Sequence, residues 1–116
     1  MRGAPAVCNL TTTGRRSGRA HTIEIWFARA GDTLYLLAGG REGADWVRNL
    51  IHQPAVVVEL AERSHQARAR VLSGGTEEDR TARRLLLEKY QEPGSHDLDG
   101  WGERALAVAI DLLPDP

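Results

Sequence analysis

The segment from His21 to Ala38 places the strongest constraint on the fold of this chain. Within HTIEIWFARA, large apolar side chains alternate with other residues at the two-residue period of a β-strand that has one buried face. The apolar face comprises Ile23, Ile25 and Phe27, and the opposite face comprises Thr22, Glu24 and Trp26. Gly31-Asp32 supplies a tight turn, after which the chain returns as a second strand, Thr33 to Ala38. The segment therefore predicts an antiparallel β-hairpin.

Shorter alternating or apolar segments predict four further strands, at 6–13, 55–61, 65–72 and 106–113. Two stretches between them have a helical period instead. The first predicts a short helix from about Ala44 to His52, which ends before Pro54. The second begins with Thr76 three residues before Asp79, as in a capping box, and predicts the longest helix, at 77–91.

A loop rich in Pro, Gly, Ser and Asp is predicted to lead from the long helix to Asp99. Short links at 31–32 and 62–64 permit hairpins between neighbouring strands. About six strands with two inserted helices favour a small antiparallel β-barrel over a doubly wound parallel sheet. A chain of 116 residues has the size of one domain, so we predict a single domain over 1–116.

Charge and composition exclude several classes of partner. Fifteen basic and sixteen acidic side chains nearly cancel, so no nucleic-acid partner is expected. The arginines are denser within 1–41, which suits a small anionic ligand. Cys8 is the only cysteine, which excludes an internal disulfide. A single free thiol fits a reducing compartment, and we expect Cys8 to be a small core residue. Because the longest apolar run, 105–110, is too short to cross a bilayer, we expect a cytoplasmic protein without a transmembrane segment.

The chain lacks the common motifs of nucleophilic and metal-assisted catalysis. No G-x-S-x-G elbow, Walker loop or Rossmann fingerprint is present. The four histidines are scattered and predict no metal site: His21, His52, His65 and His96. Cys8 lies in a predicted apolar strand, where thiols are commonly inert. The sequence therefore indicates no residue acting as a nucleophile or as a general acid or base.

Two loops rich in Gly and Arg are the remaining candidates for a binding site. In the first, 13–19, Gly14 and Gly18 allow backbone N–H groups to turn inward, and Ser17 adds a hydroxyl. Its forked donors suit a phosphate or carboxylate: Arg15, Arg16 and Arg19. An ordinary charged turn would have the same composition, so the loop alone leaves both interpretations open.

The second loop, 38–41, leads from a strand into the short helix. Gly39 and Gly40 allow a flat group to approach the backbone closely. Trp46 and Asn49 are three residues apart and project from neighbouring turns of that helix. Instead of lining a binding site, Trp46 could be a core anchor, with Asn49 capping the helix or exposed. This alternative interpretation stays open.

Together, the segments TTTGRRSGRAHTIEIWF, LYLLAGG and ADWVRNLIHQPAVVVEL resemble the deazaflavin-dependent nitroreductase family, whose members are small split β-barrel oxidoreductases that use coenzyme F420. The similarity covers roughly 10–72 in order and spacing. It implies a split barrel of the FMN-binding type. It also implies that the first loop binds the phosphate and acidic tail of the coenzyme.

The resemblance extends to individual residues. Arg16, Ser17 and Gly18 match the basic-Ser-Gly motif of the tail site, while His21 stands where many members have arginine. Trp26 occupies an aromatic position that borders the active site on the substrate side, and Glu24 stands where proline is frequent. The implied cofactor-binding set consists of Arg15, Arg16, Ser17, Gly18, His21, Ala38, Gly39, Gly40, Arg41, Trp46 and Asn49.

Two functional hypotheses follow from the resemblance. The first is a reductase that transfers a hydride from reduced F420 to a small organic acceptor: a quinone, an activated alkene or a nitro compound. The second is a non-catalytic split-barrel carrier of a flavin, deazaflavin or haem-like ligand, and an FMN-dependent reductase is a further alternative. The apolar last strand leaves room for a homodimer. C-terminal aromatic residues of the family do not align securely with Tyr90 or Trp101.

Overall fold

A computed structural model describes residues 5–114 as one antiparallel sheet with helices inserted between its strands; both ends of the predicted 1–116 domain lie outside the described residues. Within that range the sheet has seven strands in the order β2-β1-β5-β6-β7-β4-β3. The strands are β1 (Val7–Thr13), β2 (Ala20–Trp26), β3 (Ala28–Ala30), β4 (Thr33–Ala38), β5 (Ala55–Leu60), β6 (Arg63–Val71) and β7 (Leu106–Leu112). The predicted mainly β, split-barrel fold is confirmed.

The prediction of one continuous strand from His21 to Ala30 is wrong. The chain changes partners at Phe27: β2 pairs with β1, whereas β3 pairs with β4 at the other end of the sheet. This change closes the barrel and raises the strand number from about six to seven. The Phe27 N–H donates to the Tyr90 hydroxyl (3.0 Å), and the Phe27 carbonyl accepts from Lys89 Nζ (2.8 Å). Side chains thus replace the ladder bonds at the break.

Three α-helices connect the strands of the described region: α1 (Asp45–His52), α2 (Glu77–Tyr90) and α3 (Asp99–Arg104). Both predicted helices are confirmed, and a 3-10 turn at Arg41–Gly43 precedes α1. The Thr76 hydroxyl accepts from the Asp79 N–H (3.1 Å), as the capping pattern predicts. Helix α3 was not predicted, because six residues that include two glycines carry no helical period.

The sheet separates two apolar clusters. The first fills the barrel, where Leu10, Phe27, Leu36 and Ile110 are at most 1% exposed and Cys8 is 2% exposed, as expected for a core thiol. Ile23 and Ile25 pack against this interior cluster, in agreement with the alternation in their strand. The second cluster lies where α2 and α3 cover the outer face; its buried members are Ala28, Tyr35, Leu37, Leu72, Ala82, Leu86, Ala105, Ala107 and Ala109.

Helix α2 is attached to the sheet at both ends. Near its start, Glu78 accepts two hydrogen bonds from the Arg70 guanidinium (2.7 and 2.8 Å), which also donates to Asp111 on β7 (2.7 Å). At its end, Lys89 and Tyr90 bind the backbone at the barrel closure.

Within 5–114, no helix has the length and apolar character needed to cross a membrane.

Candidate functional site

The first candidate loop, residues 14–19, is a closed turn between β1 and β2. The Gly14 N–H donates to the Arg19 carbonyl (2.7 Å), and the Gly18 N–H donates to the Gly14 carbonyl (2.9 Å). Gly18 has a φ of 72°, in the left-handed region that glycine adopts without strain. These bonds and this conformation fix the path of the loop.

Gly14 lies where two polar side chains converge. A Cβ atom at Gly14 would be 2.7 Å from His21 Nε2 and 2.8 Å from Ser17 Oγ, closer than atoms can pack without moving. The Ser17 hydroxyl also accepts from the Arg19 N–H (3.1 Å). A bare glycine backbone therefore allows the hydroxyl and the imidazole to share one small volume.

Helix α1 holds the start of this loop through Asn49. The Asn49 Oδ1 atom accepts from the backbone N–H of Arg15 (3.2 Å) and from its guanidinium (2.9 Å). The Asn49 amide donates to the buried Thr12 hydroxyl (3.2 Å), and Arg15 forms an ion pair with Asp45 (3.2 Å). Asn49 is 4% exposed. Arg15 and Asn49 thus position the loop, which leaves the neighbouring arginines as donors for a ligand.

The loop and α1 enclose a cleft of about 570 Å³, the tail cleft. It brings together six residues of the predicted set: Arg15, Arg16, Ser17, His21, Trp46 and Asn49. Gly18 lies in the same loop but not on the wall of the cleft. No residue within 5–114 makes a hydrogen bond or ion pair with the exposed side chain of Arg16. The cleft therefore offers an unengaged guanidinium beside a hydroxyl and an imidazole, a suitable donor set for an oxyanion.

The second predicted loop lies apart from the tail cleft. Ala38 is 2% exposed at the end of β4, and Gly39 lines a separate recess with Trp101 and Arg104. The Arg41 guanidinium donates to the Arg104 carbonyl, so α3 is tied to this loop. A Cβ at Gly39 would lie 4.0 Å from Trp101 Cδ1, which leaves the glycine backbone open beside an aromatic ring.

Trp46 lies between these two regions. Its side chain lines the tail cleft and also packs against the cluster of Ala38, Val47 and Leu106. Trp46 is half-buried, so it serves as a core anchor and as a wall of the cleft at once. Both interpretations of this residue from the sequence are consistent with its position.

Trp26 forms part of an aromatic wall. Its ring stacks on Tyr90 with centroids 4.4 Å apart and planes 3° from parallel, and it meets Trp101 edge-on at 5.5 Å. Trp26 remains 40% exposed. Beside this wall is a mainly apolar depression of about 510 Å³, the aromatic slot. It is lined by Val7, Glu24, Ile25, Trp26, Leu37, Leu98 and Trp101.

Strand β2 runs past both the tail cleft and the aromatic slot. Residues 21–23 line the cleft, and residues 24–26 line the slot. Since a strand advances about 3.3 Å per residue, the two regions adjoin along a single element. Trp101 in turn lines both the slot and the Gly39 recess. The predicted tail and substrate residues thus lie along β2, and Trp101 links the slot to the Gly39 recess.

The sequence patterns placed neither Tyr90, a member of the apolar stripe of the long helix, nor Trp101 in the site, and both complete the wall. A usable signal was the scarcity of aromatic residues: the chain has three Trp, two Tyr and one Phe. Three of these six meet from β2, α2 and α3. Their convergence depends on how the helices pack on the sheet, which the local sequence does not encode.

The buried thiol of Cys8 and the half-buried ammonium of Lys89 both serve the fold. Burial raises the pKa of the Cys8 thiol to about 11, so it is protonated at neutral pH. Burial lowers the pKa of Lys89, whose ammonium donates to the carbonyls of Pro5 (2.9 Å) and Phe27 (2.8 Å). Among residues 5–114, no three His, Cys, Asp or Glu side chains are grouped to hold a metal.

Comparison with known families identifies a match over nearly the whole chain. A sequence profile of the F420H(2)-dependent quinone reductase family matches residues 1–112. Among curated proteins, no sequence matches the chain at a significant level.

Several solved structures share the fold. One is an F420-H2 dependent reductase (FDR-A), 22% identical, with a TM-score of 0.72 over 96% of this chain and 99% of that chain. HutZ, the heme storage protein from Vibrio cholerae, is 17% identical, with a TM-score of 0.74 over 96% and 82% of the two chains. A structure described as a domain-swapped dimer is 23% identical, with a TM-score of 0.73 over 94% and 81%. At these identities the structures establish the common fold alone.

Proposed function

We propose, on the premise that this chain belongs to the F420H(2)-dependent quinone reductase family, that it reduces a quinone or a similarly flat acceptor bound in the aromatic slot. Membership of the family makes the chain an F420-dependent reductase and F420 its cofactor. The observation that carries the proposal is the shared strand: residues 21–23 of β2 line the tail cleft, and residues 24–26 line the slot.

The tail cleft fits the anionic part of the coenzyme. Arg16 supplies a guanidinium group to the cleft, and no residue within 5–114 forms a hydrogen bond or ion pair with it. Ser17 and His21 supply further polar atoms above the Gly14 backbone, where a Cβ would collide with both. Forked cationic donors next to exposed backbone suit phosphate and carboxylate oxygens. We assign binding of the tail to Arg16, Ser17, Gly18 and His21, with Arg15 and Asn49 as positioning residues.

The recess at Gly39 fits one edge of a flat ring. The backbone of Gly39 is exposed opposite Trp101, and Gly40 continues the same loop above Ala44. Trp46 bridges from the tail cleft to Ala38. We assign the ring end of the coenzyme to Ala38, Gly39, Gly40, Arg41 and Trp46.

The aromatic slot fits a planar acceptor. Trp26 presents a rigid, partly exposed face because Tyr90 supports it from behind and Trp101 meets its edge. Planar apolar groups gain from such faces by burial and by stacking. When bound, the reduced coenzyme supplies a hydride, and a quinone that takes up this hydride and one proton becomes a hydroquinone.

The residues of the chain act in this proposal by binding and orientation. No nucleophile is needed, which agrees with the protonated, buried state of Cys8. Residues of β2 hold the coenzyme and the acceptor on adjoining surfaces, and such positioning can supply much of the rate enhancement. Trp26, Leu37 and Leu98 keep water from one side of the acceptor.

A titration followed by a turnover assay tests the proposed function. The purified protein is titrated with oxidised F420 while coenzyme fluorescence is recorded, with FMN as a competitor. We expect saturable binding in the micromolar range or tighter that FMN does not displace, and quinone-dependent oxidation of the reduced coenzyme. Binding without turnover on quinone, nitro or activated alkene acceptors would contradict the reductase and favour a carrier.

We also propose that the chain forms a homodimer. One structure with the same fold is described as a domain-swapped dimer. Light scattering coupled to size-exclusion chromatography measures the mass directly, and a monomer at all concentrations would refute the dimer.

A further inference from the structure

Among residues 5–114, Glu24 is the one ionisable residue that lines the aromatic slot. The other six lining residues are Val7, Ile25, Trp26, Leu37, Leu98 and Trp101. Glu24 lies on the exposed face of β2, between Thr22 and Trp26 along that face. A carboxylate on an otherwise apolar wall has a direct effect on which acceptors can bind there.

In the part of the chain that the structure describes, no cation forms an ion pair with Glu24. Within residues 5–114, no hydrogen bond or ion pair involves its carboxylate. Its cross-strand neighbour is Asn9, whose amide donates instead to Glu59 on β5 (3.1 Å). Asn9 lies opposite Glu24 on β2 and opposite Glu59 on β5. The Glu59 carboxylate is therefore a second acidic group in the same cross-strand row as Glu24.

The sign of the charge reverses along β2. Arg16 lines the tail cleft in the loop just before the strand, and Glu24 lines the slot near the end of the strand. In the cleft the unpaired Arg16 guanidinium attracts the anionic tail of the coenzyme, and Asp45 there is paired with Arg15, whereas in the slot the Glu24 carboxylate repels an anionic acceptor.

We propose that Glu24 makes the aromatic slot selective for uncharged or cationic planar acceptors over acceptors that carry a sulfonate or carboxylate group. The inference rests on the proposed function, because it assigns the acceptor to this slot. Glu24 acts on binding alone: the hydride comes from the coenzyme, the proton from water, and no bond to Glu24 forms or breaks. Since the carboxylate is exposed, its repulsion is partly screened by water.

The test measures binding of two quinones to the cofactor-free protein by quenching of tryptophan fluorescence. A Trp46→Phe background leaves Trp26 and Trp101, so the signal reports the slot and not the tail cleft. The probes are anthraquinone sulfonate and uncharged hydroxymethyl anthraquinone. We expect the sulfonate to bind about threefold to fivefold more weakly, as for one screened charge pair near the surface.

Removal of the Glu24 charge should abolish the difference in affinity between the two quinones. In Glu24→Gln we expect the two quinones to bind equally, whereas the control Glu62→Gln, which removes an exposed charge in the turn between β5 and β6, should keep the full difference. In 1 M salt, where the screening length is about 3 Å, the difference in affinity of the parent for the two quinones should also shrink. If the parent and Glu24→Gln showed the same difference in affinity between the two quinones, the inference would be overturned.

Turnover separates the inference from the proposed function. If the parent oxidises reduced F420 with both quinones at the same kcat/KM, the reductase stands and the selectivity is refuted. If neither these quinones nor any nitro or activated alkene acceptor supports turnover, the proposed function fails. If turnover occurs but neither quinone quenches Trp26 and Trp101, the acceptor binds elsewhere and the inference is likewise refuted.

Discussion

The tail cleft and the aromatic slot adjoin along β2 but are built in opposite ways. One continuous segment, 12–23, supplies most of the cleft, and hydrogen bonds to Asn49 on α1 hold it. The slot takes its walls from four separate parts of the chain, near 7, 24–26, 37 and 98–101, and stacked and edge-on rings hold Trp26 in place. Polar binding is thus encoded locally here, whereas the apolar slot is a product of tertiary packing.

This difference implies that the two regions can be disturbed separately. A change in the loop should alter coenzyme binding and leave the slot intact, because no residue of the described chain lines both cavities. A change in the packing of α2 or α3 should alter the slot and leave the loop intact. Single substitutions in each region test this separation.

The largest effect is expected from Arg16→Ala in the tail cleft. Arg16 is exposed and makes no side-chain hydrogen bond or ion pair within 5–114, so its removal should cost little stability. A charge-assisted hydrogen bond to an anionic tail contributes about 1.5–3 kcal/mol. We therefore expect coenzyme affinity to fall about tenfold to a hundredfold in a fluorescence titration.

Arg84→Ala is the matched control for this variant. Arg84 is an exposed arginine on α2 that pairs with Glu88 (3.2 Å), outside both cavities. Its replacement should leave coenzyme affinity unchanged. Equal affinity of Arg16→Ala and the parent would remove the loop from the tail site.

The second prediction compares two tryptophans, one in each region. Trp26→Ala removes the stacked face of the slot, and a pair of aromatic rings contributes about 0.5–1.5 kcal/mol beyond its burial. We expect kcat/KM for a quinone to fall about tenfold while the dissociation constant of the coenzyme changes less than about twofold. Trp46→Ala should do the reverse, because Trp46 lines the tail cleft and not the slot.

Steady-state kinetics and coenzyme titration of both variants distinguish these outcomes. Unchanged rates of Trp26→Ala on several acceptors would exclude Trp26 from the site. Parallel losses of binding and turnover in both variants would show that the cleft and the slot act as one unit rather than as two separable regions.

The sequence was informative where structure is local. The turn at Gly31-Asp32 between β3 and β4, α1, α2 with its Thr76 cap, and the alternation of Ile23 and Ile25 all follow from period and capping, and all are confirmed. Of the predicted hairpin, only Ala28–Ala30 pairs with the strand that follows the turn. The break at Phe27 could not be predicted, because an alternating strand looks the same whether it keeps one partner or exchanges it. The exchange depends on closure of the barrel, which Lys89 stabilises from a distant helix.

The same distinction applies to the candidate site. The Gly/Arg pattern pointed to the loop of the tail cleft, and the W-x-x-N spacing pointed to Trp46 and Asn49. Trp101 was missed because α3 has no periodic apolar stripe, and its place beside Gly39 results from packing of that helix on the sheet. Arg70, whose environment the sequence left open, lies on the outer face between Glu78 and Asp111.

A smaller effect is expected from Gly14→Ala. The added methyl would lie 2.7 Å from His21 Nε2 and 2.8 Å from Ser17 Oγ, so both side chains must move. Both side chains are exposed and can turn aside, with loss of the hydrogen bond from the Arg19 N–H to Ser17, so stability should change little, but the donor set loses its arrangement. We expect coenzyme affinity to fall about fivefold, roughly one weak hydrogen bond, in the same titration.

Gly74→Ala controls for the loss of a glycine. A Cβ at Gly74 meets no atom within 4 Å, and the residue lies between β6 and α2, outside both cavities. This variant should bind the coenzyme like the parent. An unaltered affinity in Gly14→Ala as well would mean that Ser17 and His21 do not contact the tail.

The smallest effect is expected from Arg70→Gln, which loosens α2 and thereby the slot. Hydrogen bonds from Arg70 lower the pKa of Glu78 and of Asp111 in the folded protein. Carboxylates with a lowered folded pKa add stability above their unfolded pKa of about 4, and this stability is lost as the pH falls through the folded values. Since the three side chains are 35–44% exposed, screening limits the contribution to about 1 kcal/mol.

Urea unfolding at two pH values measures this contribution. At pH 7 the variant should be about 1 kcal/mol less stable than the parent, and at about pH 2 the difference should be smaller because protonation of the carboxylates removes their attraction to Arg70. Arg68→Gln removes an exposed arginine two residues away on β6 that makes no ion pair within 5–114, and it should match the parent. Coenzyme affinity should stay constant in both variants, because Arg70 supports the helix behind Trp26 and not the loop of the tail cleft. A pH-independent difference would mean that Arg70 stabilises α2 by packing of its alkyl chain rather than by charge.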